Sequence, residues 1–416
     1  MPVQRVHPKI ESFELSAMCF LQWSALSSWM VPLTLVLHAY GFDSIQPFAF
    51  ATSAIGSILS PLFFGAMADR HYAPTRVLRM LSIATGLALV VASAAIQLGW
   101  NRWLVLALIQ VYALCSAPTV SISTAIVMSC LSDPRREFGP IRAIGTLGWM
   151  AGCWVVSVLN ADASTVSGYS SAALWFALAA FTFKLPEPGP PKTAEHLDWH
   201  ERLGLDALAL LRQPDHRVVF VSICLWSIPL AAFYPYTPPH MRDLGLRHAS
   251  AWMSLAQTTE IAAMFALGAL LARWRMKWIL LLGLGSALVR YALFSTNQTL
   301  WLLAGVTLHG LNYTFFFTTA QIYVNERVEP EWRTRAQALL TLINSGIGNL
   351  LGYLGCGWWF RQCGGPAATR WPLFWGVLAA AVAAVTAYFW IEYHGRGKKG
   401  RTSQETDVPA DFDNLD

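Results

Sequence analysis

Long apolar segments recur along the whole chain of 416 residues, with short polar segments between them. A bilayer core needs roughly 20 apolar residues in one helix, and the segments reach that length. Only 13% of the residues are charged, whereas a soluble protein carries about a quarter. Lipid explains this deficit, because lipid-facing side chains must be apolar as well as buried ones.

These segments predict an all-α membrane protein with twelve transmembrane helices. The expected spans are 13–37, 44–68, 76–98, 102–128, 139–160, 166–185, 216–239, 249–272, 276–296, 299–325, 334–360 and 370–393. A proline-rich polar stretch after the sixth span separates two sets of six. We therefore expect an N-terminal half at 1–185, a cytoplasmic central loop at 186–215, a C-terminal half at 216–393 and a polar cytoplasmic tail at 394–416. This is the two-half plan of the major facilitator superfamily.

Lys and Arg are unevenly distributed about these spans. With the N-terminus inside, 23 of the 29 fall in inner segments, five fall in outer segments, and Arg290 lies within a span. An excess of positive charge marks the cytoplasmic side of a membrane protein. We therefore expect both termini in the cytoplasm and the protein in the inner membrane of the cell. A missed helix would invert every later segment, so the bias also supports the count of twelve.

The segment Gly65-Ala-Met-Ala-Asp69-Arg70 resembles the inner-loop signature of the superfamily. The resemblance implies a structural and conformational role, in which Gly65 allows a tight helix end and Asp69 caps the next helix or pairs with Arg70. In this chain 71–74 replaces the usual basic run, so the signature is incomplete. In that fold the first, fourth, seventh and tenth helices line a central cavity, which is the expected place of a solute site.

Charged residues inside a span are costly, by roughly 2.5–3.5 kcal/mol on insertion scales, so each needs a reason. Glu260 lies in the eighth span, with Gln257 one turn earlier on the same face. The pair predicts a site for solute, proton or both. The alternative is a buried ion pair between Glu260 and Arg290, and the two interpretations are compatible. Arg290 is otherwise a structural partner, or its long side chain extends outward to the membrane surface.

Two further helix faces carry candidate solute contacts. Arg142, Thr146 and Trp149 recur at helical spacing in the fifth span, and His309 and Tyr313 share a face of the tenth. Arg142 is either part of the site or an anchor at the inner membrane face. An intramembrane histidine is either a hydrogen-bonded core residue or a proton carrier.

Several blocks, in order along most of the chain, resemble the nucleoside:proton symporter family of the superfamily. The main ones are Pro140-Ile-Arg142-x-x-Gly145-Thr146-x-Gly148-Trp149, Gln257-x-x-Glu260 and Arg290-Tyr-Ala-Leu-Phe294. The resemblance implies a cavity that binds a nucleoside and uptake driven by proton entry. It implies that Arg142 and Thr146 contact the solute and that Trp149 forms an aromatic wall.

The same resemblance implies that Gln257 and Glu260 grip ribose hydroxyls or a base edge. His309 stands where the family has an aromatic hydroxyl, and Tyr313 stands where it has a stacking ring. The chain also departs from the family, with Thr314 in place of an aspartate and an apolar and aromatic run at 228–236 in place of amide side chains. Proton coupling must then rest on Glu260 or His309, or be absent.

The remaining features exclude other classes. The net charge of +5 lies in short loops, with no basic helix suited to nucleic acid. Neither a nucleophile–base pair nor a metal cluster is evident, so we expect no enzyme, no cofactor and no metal. The expected protein is a monomer in the lipid bilayer that binds a small polar solute and protons. Three alternatives stay open: transport of a sugar or glycosylated compound, export of a drug or metabolite, and a receptor or scaffold that transports nothing.

Overall fold

A computed structural model describes residues 12–70, 73–131, 134–185 and 198–395, with the side chains of 61–70 and 134–136 outside the described part. Within these residues twelve long helices run through the chain. They are α1 (Ser12–Ala39), α2 (Gln46–Arg70), α3 (Pro74–Gln97), α4 (Arg102–Cys130), α5 (Pro134–Val158), α6 (Val166–Lys184), α7 (Pro214–Asp243), α8 (Ala249–Arg273), α9 (Met276–Ser295), α10 (Thr299–Arg327), α11 (Pro330–Gln362) and α12 (Trp371–Glu392). The predicted spans are confirmed, and the largest boundary difference is at the start of α5.

The surface of this bundle is apolar enough for lipid. Eleven of the helices are long and apolar enough to cross a membrane over their described residues, and α2 has 25 residues. Large apolar side chains point outward, including Phe265, Val158 and Leu300, which are 79%, 73% and 71% exposed. Soluble monomers rarely expose large continuous apolar surfaces, so an outer surface of this kind suits a protein surrounded by lipid.

Two helices are interrupted at corresponding places in the two sets of six. Helical structure pauses in α1 between Met30 and Leu33, and in α7 between Leu230 and Phe233. A proline, which lacks a backbone N–H and clashes with the preceding turn, lies at or just before each pause. These are Pro32 and Pro229. The breaks free backbone groups in the interior of the bundle.

Two other helices contain wide turns. Tyr313–Thr318 in α10 and Leu342–Gly348 in α11 are π-helical. Hydrogen bonds from i to i+5 add a residue to the turn and change which side chains share a face, and such segments are frequent at functional sites. The sequence analysis assumed regular helical spacing and did not predict them.

Glycines hold α5 tightly against α1. The Ser24 hydroxyl donates a 2.7 Å hydrogen bond to the Gly148 carbonyl. A methyl group on Gly148 would lie 2.8 Å from the Phe20 Cα, and one on Gly152 would collide with the Ser24 carbonyl. Small residues allow close backbone approach between membrane helices. Gly148 and Gly152 therefore allow α1 and α5 to pack backbone against backbone.

The inner-loop signature lies at the end of α2, which includes Gly65, Asp69 and Arg70. Their side chains lie outside the described part of the structure, so their conformational role stays a prediction. The described hydrophobic interior forms two large clusters. One is built mainly from α1 to α6, and the other is built mainly from α7 to α12.

We predict that Gly148→Ala destabilises the protein, because the added methyl group overpacks the α1–α5 contact at a cost of about 1–3 kcal/mol. The melting temperature of the purified protein in detergent should fall by several degrees. Gly285→Ala is the matched control, since a methyl group there meets nothing within 4 Å and alanine favours the helix. Equal melting temperatures for the two variants would contradict this account of the packing.

Candidate functional site

A cavity of about 360 Å³ lies between α1, α2, α5, α7, α8, α10 and α11. Both helix breaks border it, through Met30 of α1 and through Leu230 and Ala231 of α7. Interrupted helices in corresponding halves mark the binding site in many secondary transporters. The structure brings together all seven side chains that the sequence suggested as solute contacts: Arg142, Thr146, Trp149, Gln257, Glu260, His309 and Tyr313.

Aromatic rings form a continuous wall of this cavity. The Trp149 ring centroid lies 5.9 Å from that of Trp23 and 5.6 Å from that of Tyr234. Tyr234 lies 5.9 Å from the His309 ring, which is stacked 6.3 Å from Tyr313. Aromatic faces and edges both attract a flat ring, so the wall suits a planar solute.

Arg142 is oriented by two neighbours on α1 and α5. Its guanidinium lies 4.3 Å from the centre of the Trp23 ring and donates a 3.3 Å hydrogen bond to the Thr146 hydroxyl. A guanidinium has five N–H donors, so others remain for a solute. Arg142 is therefore part of the cavity wall.

Glu260 lines the cavity and is only 7% exposed. Among the described residues its carboxylate makes no hydrogen bond and no ion pair within 4.0 Å. The side-chain oxygen of Gln257, one turn away, is buried and has no hydrogen-bond partner. The backbone here is held against α10, because a methyl group on Gly310 would collide with the Glu260 amide nitrogen. Two acceptor groups thus lie at the cavity with no protein donor.

The suggested ion pair between Glu260 and Arg290 is wrong. Arg290 is fully buried, and its Nη1 lies 2.6 Å from Nδ1 of His309, while its Nη2 donates to the Tyr291 hydroxyl at 2.9 Å. That hydroxyl donates to the Pro229 carbonyl at 2.6 Å. Arg290 therefore ties α9 to α10 and to the break in α7. Sequence position places both charges inside neighbouring spans but does not give the rotation of their helices.

The contact with Arg290 also fixes the hydrogen-bonding role of His309. A guanidinium only donates, so Nδ1 of His309 must accept and the ring proton lies on Nε2. The Phe233 ring stacks on the His309 ring, with 4.0 Å between the ring centroids. A proton added at Nδ1 would break the contact and place a second positive charge beside Arg290. His309 is therefore a hydrogen-bond donor to the cavity, and its suggested role as the proton carrier is disfavoured.

Other side chains of the cavity were outside the predicted set. Tyr234 follows the break in α7, and Ser53 and Ser57 come from α2. Asn344 and Asn349 come from α11. Polar residues within an apolar span were the available signal in α11, but its glycines led only to a packing interpretation.

No described side chain of α4 lines the 360 Å³ cavity itself, although α4 does line two cavities that adjoin it. Thr119 of α4 accepts a 2.9 Å hydrogen bond from the Gln22 amide, which fills that space with a protein contact. Tyr112 and Ser116 line a neighbouring cavity of about 320 Å³ instead. The helix keeps its polar residues, but they face α1 and α2.

The two sets of six helices are joined at one end of the bundle. The Asp162 carboxylate accepts a 2.6 Å hydrogen bond from the Ser250 backbone, and Ser157 accepts one of 2.9 Å from Ala251. The opposite end contains a further cavity of about 330 Å³. It shares Trp23, Arg142 and Tyr313 with the central one and extends to Gln321. The central cavity thus continues toward the end where α1 begins.

These groups can bind an uncharged, flat, polar solute reversibly. Arg142 and His309 offer donors, Gln257 and Glu260 offer acceptors, and aromatic rings offer faces. Within the described residues no group of three or more His, Cys, Asp or Glu is placed to hold a metal ion.

Comparison with known proteins identifies a family for this chain. Residues 10–397 match the family described as Nucleoside H+ symporter. YegT of Escherichia coli strain K12 is 34% identical over 359 residues, which cover 82% of each chain. The xanthosine permease of the same strain is 23% identical, with 92% of this chain and 96% of the permease covered.

Solved structures confirm the predicted fold. Two crystal structures of the nucleoside transporter NupG match with TM-scores of 0.84 and 0.80 at 23% and 22% identity, each covering 92% of this chain and 99% of NupG. A bacterial homologue of the lysosomal transporter Spinster, solved inward-facing, matches with a TM-score of 0.66 at 14% identity, covering 92% of this chain and 95% of its own. The architecture is that of the major facilitator superfamily, and the chain belongs to the nucleoside H+ symporter family.

Proposed function

We propose that this protein takes up a nucleoside, or a solute resembling one, together with protons. The observation that carries the proposal is that both sets of helices place the seven candidate contacts around the same cavity, the one of about 360 Å³. Relatives named xanthosine permease and nucleoside permease NupG support the solute class. Solute and proton exchange then proceeds by alternating access of the two halves, 1–185 and 216–393, around this cavity.

Solute recognition follows from the groups that line the cavity. A base stacks on Trp149 and Tyr313, since aromatic stacking contributes roughly 1–3 kcal/mol per base. Arg142 and His309 donate to oxygen or nitrogen acceptors of the solute. Glu260 accepts from its hydroxyl groups, for which a carboxylate forms strong charge-assisted bonds.

Proton coupling rests on Glu260. It is the one carboxylate that lines the cavity among the described residues. Apolar surroundings favour the neutral form of an acid, whereas polar or positively charged neighbours favour the carboxylate. A group held between these influences gains and loses a proton as the cavity changes its exposure. Thr314, by contrast, is fully buried and does not line the cavity.

The orientation is also part of the proposal. We place both termini and the 186–215 loop in the cytoplasm, because this puts 23 of the 29 Lys and Arg on the inner side. The membrane is then the inner membrane of a bacterium, and the transporting unit is a monomer with its cavity within one chain.

Replacing Trp149 or Tyr313 with alanine should weaken solute binding about tenfold or more, because each removes one stacking face. Binding of uridine and inosine to the purified protein is measured by calorimetry. Trp301→Ala is the control, since that ring is 44% exposed and lies outside the cavity. Unchanged affinity in both site variants would remove the stacking account and favour a sugar-like solute.

Glu260→Gln should abolish accumulation against a gradient while some downhill exchange remains, because the amide keeps its size but cannot exchange a proton. Proton entry down a membrane potential supplies about 2.3 kcal/mol per 100 mV. Radiolabelled solute uptake into vesicles with and without a pH gradient measures the difference. Glu326→Gln, an exposed position at the end of α10, makes the same charge change and should leave accumulation intact.

Vesicles with Glu260→Gln that still concentrate solute on a pH gradient would place the coupling group elsewhere. Wild-type transport without proton flux would instead identify a uniporter, in keeping with the missing aspartate at Thr314.

The orientation predicts that single cysteines at Lys192 and Ser403 resist an impermeant thiol reagent applied to intact cells. A cysteine at Gln298, in the exposed connection between α9 and α10, should react. The variants are made in a background without the seven native cysteines. Reaction at Lys192 or Ser403 from outside would invert the proposed topology.

A further inference from the structure

The α11 side of the cavity carries a polar surface that the solute contacts above do not include. Asn344 and Asn349 line the cavity from α11, and we refer to these two residues as the α11 amide pair. Tyr353 of α11 and Ser53 and Ser57 of α2 line it beside them. All of these side chains are uncharged, in contrast to the Arg142 and Glu260 side of the site.

The π-helical turn explains why both amides reach the cavity. Residues five apart lie on different faces of a regular α-helix, which has 3.6 residues per turn. The segment Leu342–Gly348 is π-helical, and its i to i+5 bonding brings positions 344 and 349 close to one face. Regular helix resumes at Asn349 and brings Tyr353, four residues later, onto the same face. The wide turn thus builds a polar row out of an otherwise apolar helix.

The two amide side chains differ in their hydrogen-bond partners. The side-chain oxygen of Asn344 accepts a 2.7 Å hydrogen bond from the Ser227 hydroxyl of α7, and its nitrogen donates one of 3.3 Å to the Ser345 hydroxyl. Asn344 is 5% exposed. It is a fixed group with limited capacity for further bonds. Asn349 makes no side-chain hydrogen bond to any residue in the described part of the chain, and its amide borders the cavity. An unpaired amide at a cavity is a group available to a ligand.

The neighbouring stretch of α7 supplies no amide of its own. Residues 228–236 contain neither Asn nor Gln. α11 packs directly on this stretch, because methyl groups on Gly348 and Gly352 would each lie 2.6 Å from α7 atoms of Ser227 and Ala231. The α11 amide pair therefore delivers donor–acceptor groups to the part of the cavity that α7 leaves apolar.

We propose that the α11 amide pair recognises the uncharged hydrogen-bonding edge of the solute base, with Asn349 as the residue that determines specificity. This inference rests on the proposed function and assigns the base edge to α11. An amide presents a donor and an acceptor side by side, which matches adjacent C=O and N–H groups of a base. The charged groups across the site, Glu260 and Arg142, are left for the hydroxyl-bearing part of the solute.

A charge change at Asn349 gives a directional test. Asn349→Asp keeps the size of the side chain but leaves only acceptors, so it pairs better with an exocyclic amino group than with a carbonyl. We expect the ratio of the uridine Kd to the cytidine Kd to rise about tenfold relative to the wild type. Inosine and adenosine, which differ in the same way, form the purine pair. Calorimetry on the purified protein measures all four.

A second variant separates base recognition from sugar recognition. Asn349→Leu removes hydrogen bonding at similar size, and it should weaken uridine binding about tenfold and abolish any preference over 3-methyluridine, whose base edge is blocked. The ratio for uridine against 2′-deoxyuridine should stay at its wild-type value. Gln298→Leu, in the α9–α10 connection, is the control for loss of an amide. Melting temperatures identify any variant that does not fold.

The outcomes distinguish the two proposals. If the wild type binds none of these nucleosides, the proposed function fails, and the inference fails with it. If the wild type binds them and both Asn349 variants keep every Kd ratio, only the assignment of the base edge is overturned. The assignment of the base edge is also overturned if only the ratio of the uridine Kd to the 2′-deoxyuridine Kd changes. The amide pair would then face the sugar.

Discussion

The absence of water from the bilayer core is the constraint on which the rest of this structure depends. Backbone groups there must pair within helices, and a buried polar side chain must find a partner or border a cavity. Arg290 meets this demand through His309 and Tyr291. Because Nδ1 of the histidine accepts from the guanidinium, the ring N–H on Nε2 is the group that remains available to the cavity. The hydrogen-bonding role of His309 at the cavity therefore follows from the contacts that stabilise the buried Arg290 guanidinium.

Most of the architecture was accessible from the sequence because apolar length and positive charge are local signals. The twelve spans can be predicted from the thickness of the bilayer alone. The glycines of α5 can be placed on one face from helical spacing alone. Residues one or two turns apart on one helix, such as Gln257 with Glu260 or Arg142 with Trp149, were also placed together correctly. Helical periodicity fixes such relations before any tertiary contact forms.

Relations between helices were less accessible. The pairing of Arg290 with His309 instead of Glu260 depends on the rotation of α8, α9 and α10 about their axes, which spacing does not give. The α11 amides were missed because the π-helical turn changes the helical period at that place. The fold plan placed α4 at the central cavity, but the Gln22 amide donates to the Thr119 hydroxyl there, and α4 lines the adjoining cavities. Each difference arises where a long-range contact or an irregular turn overrides a local pattern.

The junction between Ser157, Asp162 and the first residues of α8 has a consequence for the energetics of movement. The first N–H groups of any helix lack intrahelical partners, and side-chain caps for them contribute roughly 1 kcal/mol each. Here the caps of Ser250 and Ala251 come from the other half of the protein. Separating the halves at this end exposes the α8 start to solvent, and water must replace both caps. In the proposed alternating-access cycle, these two hydrogen bonds would therefore favour the state that is closed at this end.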